Sequence, residues 1–139
     1  MATSRVYLSG QFEDAALLRR VRDDLTRNGF VITSRWLNGD SLEPATASAG
    51  EDGAAARLVS IASQDLEDID SADMVVVFNP DVARAIGRGG RHVETGYALA
   101  RAKPVILVGV RSNVFHWLPD VVLIDGWEEL IDTLQRRVE

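Results

Sequence analysis

A glutamate follows a glycine-rich loop near the middle of the chain, within residues 87–100 (GRGGRHVETGYALA). An apolar run at residues 74–78 precedes the loop and is typical of a buried strand, and a helical pattern follows the loop. This order predicts that Glu94 lies in the first turn of a helix. It also places Glu94 at the carboxyl end of a central strand, where open parallel sheets bind ligands.

The start of a helix would hold the Glu94 carboxylate ionised. The first backbone N–H groups have no acceptor within the helix, and the helix dipole places partial positive charge there. An oriented carboxylate can act as a nucleophile or stabilise a positive charge, although acids in a first turn often do no more than complement the helix end. Three arginines would favour the ionised form further: Arg88, Arg91 and Arg101.

A second carboxylate, Asp65, lies on the apolar face of a predicted helix over residues 54–70. At about 100° per residue, Asp65 falls between Ile61 and Ile69. A carboxylate on a buried face needs a partner or a cavity, so Asp65 is either an acid that lines a pocket or part of a solvated helix end. The predicted apolar stripe is formed by Leu58, Ile61, Ala62 and Ile69.

The remaining pattern alternates strands with helices and predicts a flavodoxin-like α/β fold, a three-layer sandwich around a five-stranded parallel sheet. No internal repeat or linker interrupts the chain, so we expect one domain over residues 1–139. The predicted strands are 6–9, 30–33, 74–78, 104–109 and 121–124; the helices are 14–28, 54–70, the one that contains Glu94, and 127–138; and residues 36–53 form a long loop, either a lid or disordered.

Composition excludes several classes of protein. The net charge of −6 argues against general nucleic-acid binding, which needs a basic surface. The absence of cysteine excludes disulfides and thiol chemistry. His92 and His116 lack the spacing of a metal site, and we expect neither a metal nor a cofactor. No apolar run reaches membrane-spanning length and no signal peptide is evident, so we expect a cytoplasmic protein without a membrane partner.

Three segments resemble the nucleoside 2-deoxyribosyltransferase family, which includes N-glycosidases of deoxynucleoside 5'-monophosphates. They occur in the family's order and at similar spacing, so the resemblance covers essentially the whole chain. The segments are Val6-Tyr7-Leu8-Ser9-Gly10; Gln64-Asp65-Leu66-Glu67 with Ser71-Ala72-Asp73; and Glu94-Thr95-Gly96-Tyr97-Ala98 with Lys103-Pro104-Val105.

The resemblance implies three catalytic residues. Glu94 matches the nucleophile that attacks the anomeric carbon of deoxyribose, Asp65 matches the acid that works on the nucleobase, and Tyr7 matches the tyrosine that helps place the nucleophile. Without the resemblance, Tyr7 is equally well explained as a core aromatic residue. The implied chemistry is that of a retaining glycosidase, with a covalent glycosyl-enzyme and a general acid whose pKa is raised by burial.

Departures from the family pattern leave the substrate open. The nucleotide-hydrolysing branch places a serine and an arginine in the loop after the first strand, where this chain has Gln11 and Glu13. Phe12 is closer to the aromatic residues of the transferases. The transferases, however, carry an acidic residue shortly before the nucleophile, and this chain lacks that residue. Arg88 and Arg91, which precede Glu94, would bind a phosphate or form ion pairs with acidic residues. His92 would pack against other side chains or cap the helix. The predicted substrate-binding residues are Gly10, Gln11, Phe12, Arg88, Gly90, Arg91 and His92.

Three functional hypotheses follow. The first is transfer or cleavage of the N-glycosidic bond of 2'-deoxynucleosides, with a nucleoside or nucleotide and a free nucleobase as small-molecule partners. The second is hydrolysis of nucleoside 5'-monophosphates, including a ribo-specific activity on cytidine-type nucleotides. The third is a nucleotide-binding module without catalysis, since a fold does not fix a function.

The resemblance also implies a homodimer or larger homo-oligomer, in which a neighbour completes the pocket. An aromatic-rich segment after the fourth strand fits an interface or the core equally well: Phe115, His116, Trp117 and Trp127.

Overall fold

A computed structural model describes residues 4–39, 54–81, 83 and 89–137 of the chain. Its core is a sheet of five parallel strands in the order β2-β1-β3-β4-β5. The predicted flavodoxin-like α/β fold is therefore confirmed. The strands are β1 (Arg5–Ser9), β2 (Val31–Ile32), β3 (Met74–Asn79), β4 (Val105–Gly109) and β5 (Val121–Ile124).

In the described part of the chain, four α-helices cover both faces of the sheet. They are α1 (Ala15–Arg27), α2 (Ala54–Asp70), α3 (Gly90–Ala100) and α4 (Leu130–Arg137). Alternate residues of each strand point to opposite faces, so β1 sends Val6 and Leu8 to the core under α1 and α4, and Tyr7 to the core under α2 and α3. The side chains of Tyr7, Ser9 and Asn79 are thus presented to the layer that contains α2 and α3.

Most predicted boundaries hold within two residues, and α2 and β5 agree in full. Two differences concern short 3₁₀ turns. Arg35–Leu37 forms one such turn at the start of the predicted loop, and Trp127–Glu129 forms another before α4. The rest of the predicted loop, residues 40–53, lies outside the described residues.

The predicted apolar stripe of α2 is wider than the buried one. Ile69 is fully buried, Leu58 and Ile61 are partly exposed, and Ala62 is exposed. The amino-terminal half of α2 therefore makes little contact with the sheet. Asp65 lies where the helix passes from the exposed half to the buried half.

Candidate active site

The Glu94 carboxylate is fixed by two hydroxyl groups from β1. The Tyr7 Oη donates a hydrogen bond to Glu94 Oε2 at 2.6 Å, and the Ser9 Oγ donates one to Oε1 at 2.6 Å. Both donors are fully buried, whereas Glu94 is half-buried. The carboxylate of this α3 residue is consequently held in one orientation against β1.

Asp65 of α2 lies against the same carboxylate. The two carboxyl groups are within hydrogen-bonding reach of each other. Burial, followed by repulsion from Glu94 and Asp68, raises the pKa of Asp65 to about 7. Its buried Oδ1 accepts no hydrogen bond from the described part of the protein. Asp65 can therefore hold a proton near neutral pH and donate it to a ligand.

Burial also raises the pKa of Glu94, and hydrogen bonds from Ser9, Tyr7 and Asp65 oppose this effect. All three bonds stabilise the charged form of Glu94. Burial and the neighbouring carboxylates raise the pKa of Tyr7 well above its usual value, so Tyr7 keeps its proton and donates it to Glu94. The arrangement assigns the charge to Glu94 and the proton to Asp65.

The predicted position of Glu94 in the first turn of its helix is wrong. The helix α3 begins at Gly90, after Gly89 in a left-handed conformation (φ +92°), so Glu94 is the fifth helical residue. The helix dipole acts mainly on the first turn and does not fix the charge here. The predicted effect of Arg101 is also wrong, because Arg101 lies two turns further on, where it pairs with Asp70 and Tyr97.

Arg91 is buried between side chains of the sheet edge. Its Nε donates to Asn79 Oδ1 at 3.0 Å. Burial lowers the pKa of Arg91, and the charges of Asp14 and Glu13 from the segment after β1 oppose this effect. The Asn79 amide in turn donates to the Val110 carbonyl and to Ser112 Oγ. These bonds tie the ends of β3 and β4 to α3.

His92 lies on the opposite flank of α3 from Glu94, because two residues correspond to about 200° of helix rotation. Its ring centroid is 5.8 Å from that of the buried His116, and burial lowers the pKa of both rings. The backbone N–H of Ser112 donates to His116 Nδ1 at 2.9 Å. The structure therefore pairs His92 with the β4–β5 connection and does not bring it to Glu94.

The other predicted binding residues follow β1 or precede α3. Gly10, Gln11 and Phe12 come directly after Ser9, at the same sheet edge as Glu94, and Gln11 is buried. Gly90 is the exposed first residue of α3. Arg88 lies outside the described residues. Among the side chains described at 4–39, 54–81, 83 and 89–137, no group of three His, Cys, Asp or Glu residues could hold a metal ion.

Ser9 is not among the site residues predicted from the sequence, although it lies in one of the segments that carry the family resemblance. Its signal was the period of the strand: Ser9 is two residues after Tyr7, so both side chains point to the same face. A polar residue on the buried face of a strand needs a partner, and Glu94 provides it.

A family model for nucleoside 2-deoxyribosyltransferases matches residues 6–125 of the chain. The chain belongs to the nucleoside 2-deoxyribosyltransferase family. The match includes Tyr7, Ser9, Asp65 and Glu94. Members of this family act on N-glycosidic bonds, and the fold and the pair of carboxyl groups agree with glycosyl transfer or cleavage.

Solved structures that share the fold of this chain include a deoxyribosyltransferase and an N-glycosidase. A 2-deoxyribosyltransferase from Bacillus psychrosaccharolyticus aligns with a TM-score of 0.64 and 20% identity, over 93% of this chain and 91% of the other. The CMP N-glycosidase BcmB of Clostridium botulinum aligns with a TM-score of 0.56 and 18% identity, over 95% and 99%. No curated protein sequence matches the chain significantly. At these identities the two structures show the fold alone.

Proposed function

We propose that this protein transfers or cleaves the N-glycosidic bond of 2'-deoxynucleosides through a glycosyl intermediate on Glu94. The observation that carries the proposal is the Glu94 carboxylate, oriented by Tyr7 and Ser9 and placed beside the Asp65 carboxyl. Such close carboxyl groups are typical of retaining glycosidases, since inverting enzymes leave room between them for a water molecule.

In the first step a Glu94 carboxylate oxygen attacks C1' of the sugar. The C1'–N bond breaks as Asp65 gives its proton to the departing nucleobase. In the second step the nitrogen of an acceptor base, or a water molecule, attacks C1' and releases Glu94. The attacking group loses a proton to the Asp65 carboxylate, which restores the starting state.

The surroundings of Arg91 support a nucleoside as substrate. The Nε atom of Arg91 is bonded to Asn79, and Glu13 and Asp14 lie near its charge. Acids at this position would repel a 5'-phosphate. The alternative is hydrolysis of nucleoside 5'-monophosphates, with Arg88 as a phosphate ligand. The same experiment tests whether the protein accepts a substrate with a 2'-hydroxyl group.

The direct test is intact-mass spectrometry after brief exposure to a panel of deoxynucleosides, ribonucleosides and their 5'-monophosphates. We expect a deoxyribosyl adduct with deoxynucleosides, and none in the Glu94→Ala variant. Base exchange in the presence of a second free base indicates transfer, and free deoxyribose indicates hydrolysis. Release from monophosphates alone would establish the alternative. If the wild-type protein turns over no substrate in the panel and its ligand binding survives Glu94→Ala, an enzymatic role is contradicted.

A further inference from the structure

A second buried carboxylate lies one turn after Asp65 on α2. Asp68 is only 4% exposed and does not contact Glu94 through a hydrogen bond among those described. Its Oδ1 accepts a hydrogen bond from Arg35 Nε at 2.8 Å, and its Oδ2 accepts one from the Arg35 backbone N–H at 3.0 Å. A buried charge with this partner is an ion pair that links α2 to the segment after β2.

That segment, residues 33–36, is bonded to two elements that carry catalytic residues. Toward α2, the Thr33 hydroxyl donates to the Asp68 carbonyl at 2.9 Å. Toward β1, Ser34 Oγ accepts a hydrogen bond from the Leu8 N–H, and the Trp36 indole N–H donates to the Leu8 carbonyl at 2.9 Å. Leu8 adjoins Tyr7 in the strand. The segment therefore connects the backbone beside Tyr7 with the helix turn beside Asp65.

Besides burial, which has the largest effect, three charged groups act on the pKa of Asp65, and a fourth group binds one of them. Glu94 of α3 and Asp68 of α2 favour the protonated form, Arg35 favours the ionised form, and the Tyr7 hydroxyl of β1 binds Glu94. The negative charge of Asp68 and the positive charge of Arg35 thus act on Asp65 in opposite directions. While the pair is intact, the effect of Arg35 offsets part of the larger effect of Asp68.

We propose that the Asp68–Arg35 pair is a positioning device for Asp65: it holds the last turns of α2 against residues 33–36 and balances the charge around the Asp65 carboxyl. The inference rests on the proposed function, in which Asp65 is the general acid. Asp68 and Arg35 are positioning residues and do not touch the substrate.

Two variants of the pair test the proposal because they change the charge at Asp65 in opposite directions. Asp68→Asn leaves Arg35 without its buried partner and should move the Asp65 titration midpoint to lower pH by about 0.5 to 1, whereas Arg35→Gln leaves Asp68 without a charged partner and should move it to higher pH by a smaller amount. The midpoint is read from carboxyl ¹³C NMR of aspartate-labelled protein, with the Asp65 signal assigned by its loss in Asp65→Asn. The alkaline limb of the activity profile should move in parallel.

Glu67→Gln is the matched control. Glu67 also binds Arg35, at 3.2 Å, but it is exposed and is not among the groups that act on Asp65. Glu67→Gln removes one negative charge from the same helix, as Asp68→Asn does, and we expect the Asp65 titration midpoint to stay in place.

The proposal is overturned if the Asp65 midpoint moves in the same direction in both pair variants, or does not move. If only one of the variants folds, the direction of its midpoint shift still tests the proposal. The NMR titration needs no substrate. A wild-type protein without glycosyl activity but with opposed shifts would therefore contradict only the proposed function.

Discussion

Glu94 receives its orientation from two hydroxyl groups and its neighbour Asp65 receives a raised pKa from burial, so the chemistry of the site depends on single atoms. Replacing Glu94 by Gln keeps the shape of the side chain but removes the nucleophilic oxygen. We expect kcat/KM for a deoxynucleoside to fall on the order of 10³-fold or more. Steady-state assays measure this, and an unchanged melting temperature controls for folding. Retained activity would exclude Glu94 as the nucleophile.

The two hydroxyl donors should contribute separately. A hydrogen bond to a charged group stabilises it by roughly 1.5 to 3 kcal/mol, so Tyr7→Phe and Ser9→Ala should each lower kcat about 10- to 100-fold. Loss of a donor also raises the pKa of Glu94, and the acid limb of the kcat profile should move to higher pH. Rates measured from pH 4 to 9 show both effects. An acid limb that does not move would mean that the hydroxyl groups only fill space.

Asp65 should determine the alkaline limb and part of the stability. With a pKa of about 7, Asp65 loses its proton above neutral pH, and kcat should fall tenfold for each further pH unit. An unfolded Asp titrates near 3.9, so the folded state binds the extra proton between about pH 4 and 7, and stability falls as pH rises through that window.

Asp65→Asn removes this proton uptake and is the test of the stability effect. After allowance for solvent screening, the free energy of unfolding of the variant, relative to that of wild type, should rise by about 1 to 2 kcal/mol from pH 4 to pH 7. Urea unfolding at the two pH values measures the difference. If the variant and the wild type differ in stability by the same amount at both pH values, the pKa of Asp65 is not raised.

At the scale of elements, the site depends on how β3 and β4 end. Gly109 closes β4 with φ +122°, and a Cβ there would lie 2.0 Å from the Asn79 carbonyl oxygen. Asn79 in turn holds Arg91 of α3. The closely approaching ends of β3 and β4 are thus bonded to the first turn of α3.

Gly109→Ala should therefore destabilise the protein by about 2 to 4 kcal/mol, because both the backbone conformation and the contact with Asn79 must change. The matched control is Gly96→Ala in α3, where a Cβ meets nothing within 4 Å and should stabilise by roughly 0.5 to 1 kcal/mol. Denaturant unfolding compares the two variants. Equal effects would contradict the role of the strand ends.

For the whole molecule, an exposed apolar surface follows β4. Phe115 is 61% exposed and Trp117 is 70% exposed, whereas Trp127 packs on Phe78 in the core, with ring centroids 5.1 Å apart. The four residues of the aromatic-rich segment therefore divide between the surface (Phe115, Trp117) and the interior (His116, Trp127). Within the described ranges, no helix is long and apolar enough to cross a membrane.

We propose that Phe115 and Trp117 lie in a homo-oligomer interface. Exposed apolar patches of this kind mark interaction sites. The double variant Phe115→Glu/Trp117→Glu should be monomeric by light scattering at micromolar concentration, whereas wild type should be at least a dimer. Val59→Glu, at another exposed apolar position, 65% exposed on α2, is the control. A monomeric wild-type protein would contradict the proposal.

The sequence alone determined the order of strands and helices, because apolar periodicity and glycine or proline boundaries are local properties of the chain. It also selected Tyr7, Asp65 and Glu94, since the resemblance places all three at one sheet edge. Only the tertiary structure decided the environment of each side chain: Glu94 is bound by Ser9 and not by a helix terminus, and Arg91 is bonded to Asn79. Burial and partners distant in the chain determine charge and orientation, and these contacts exist only when β1, β3, α2 and α3 pack together.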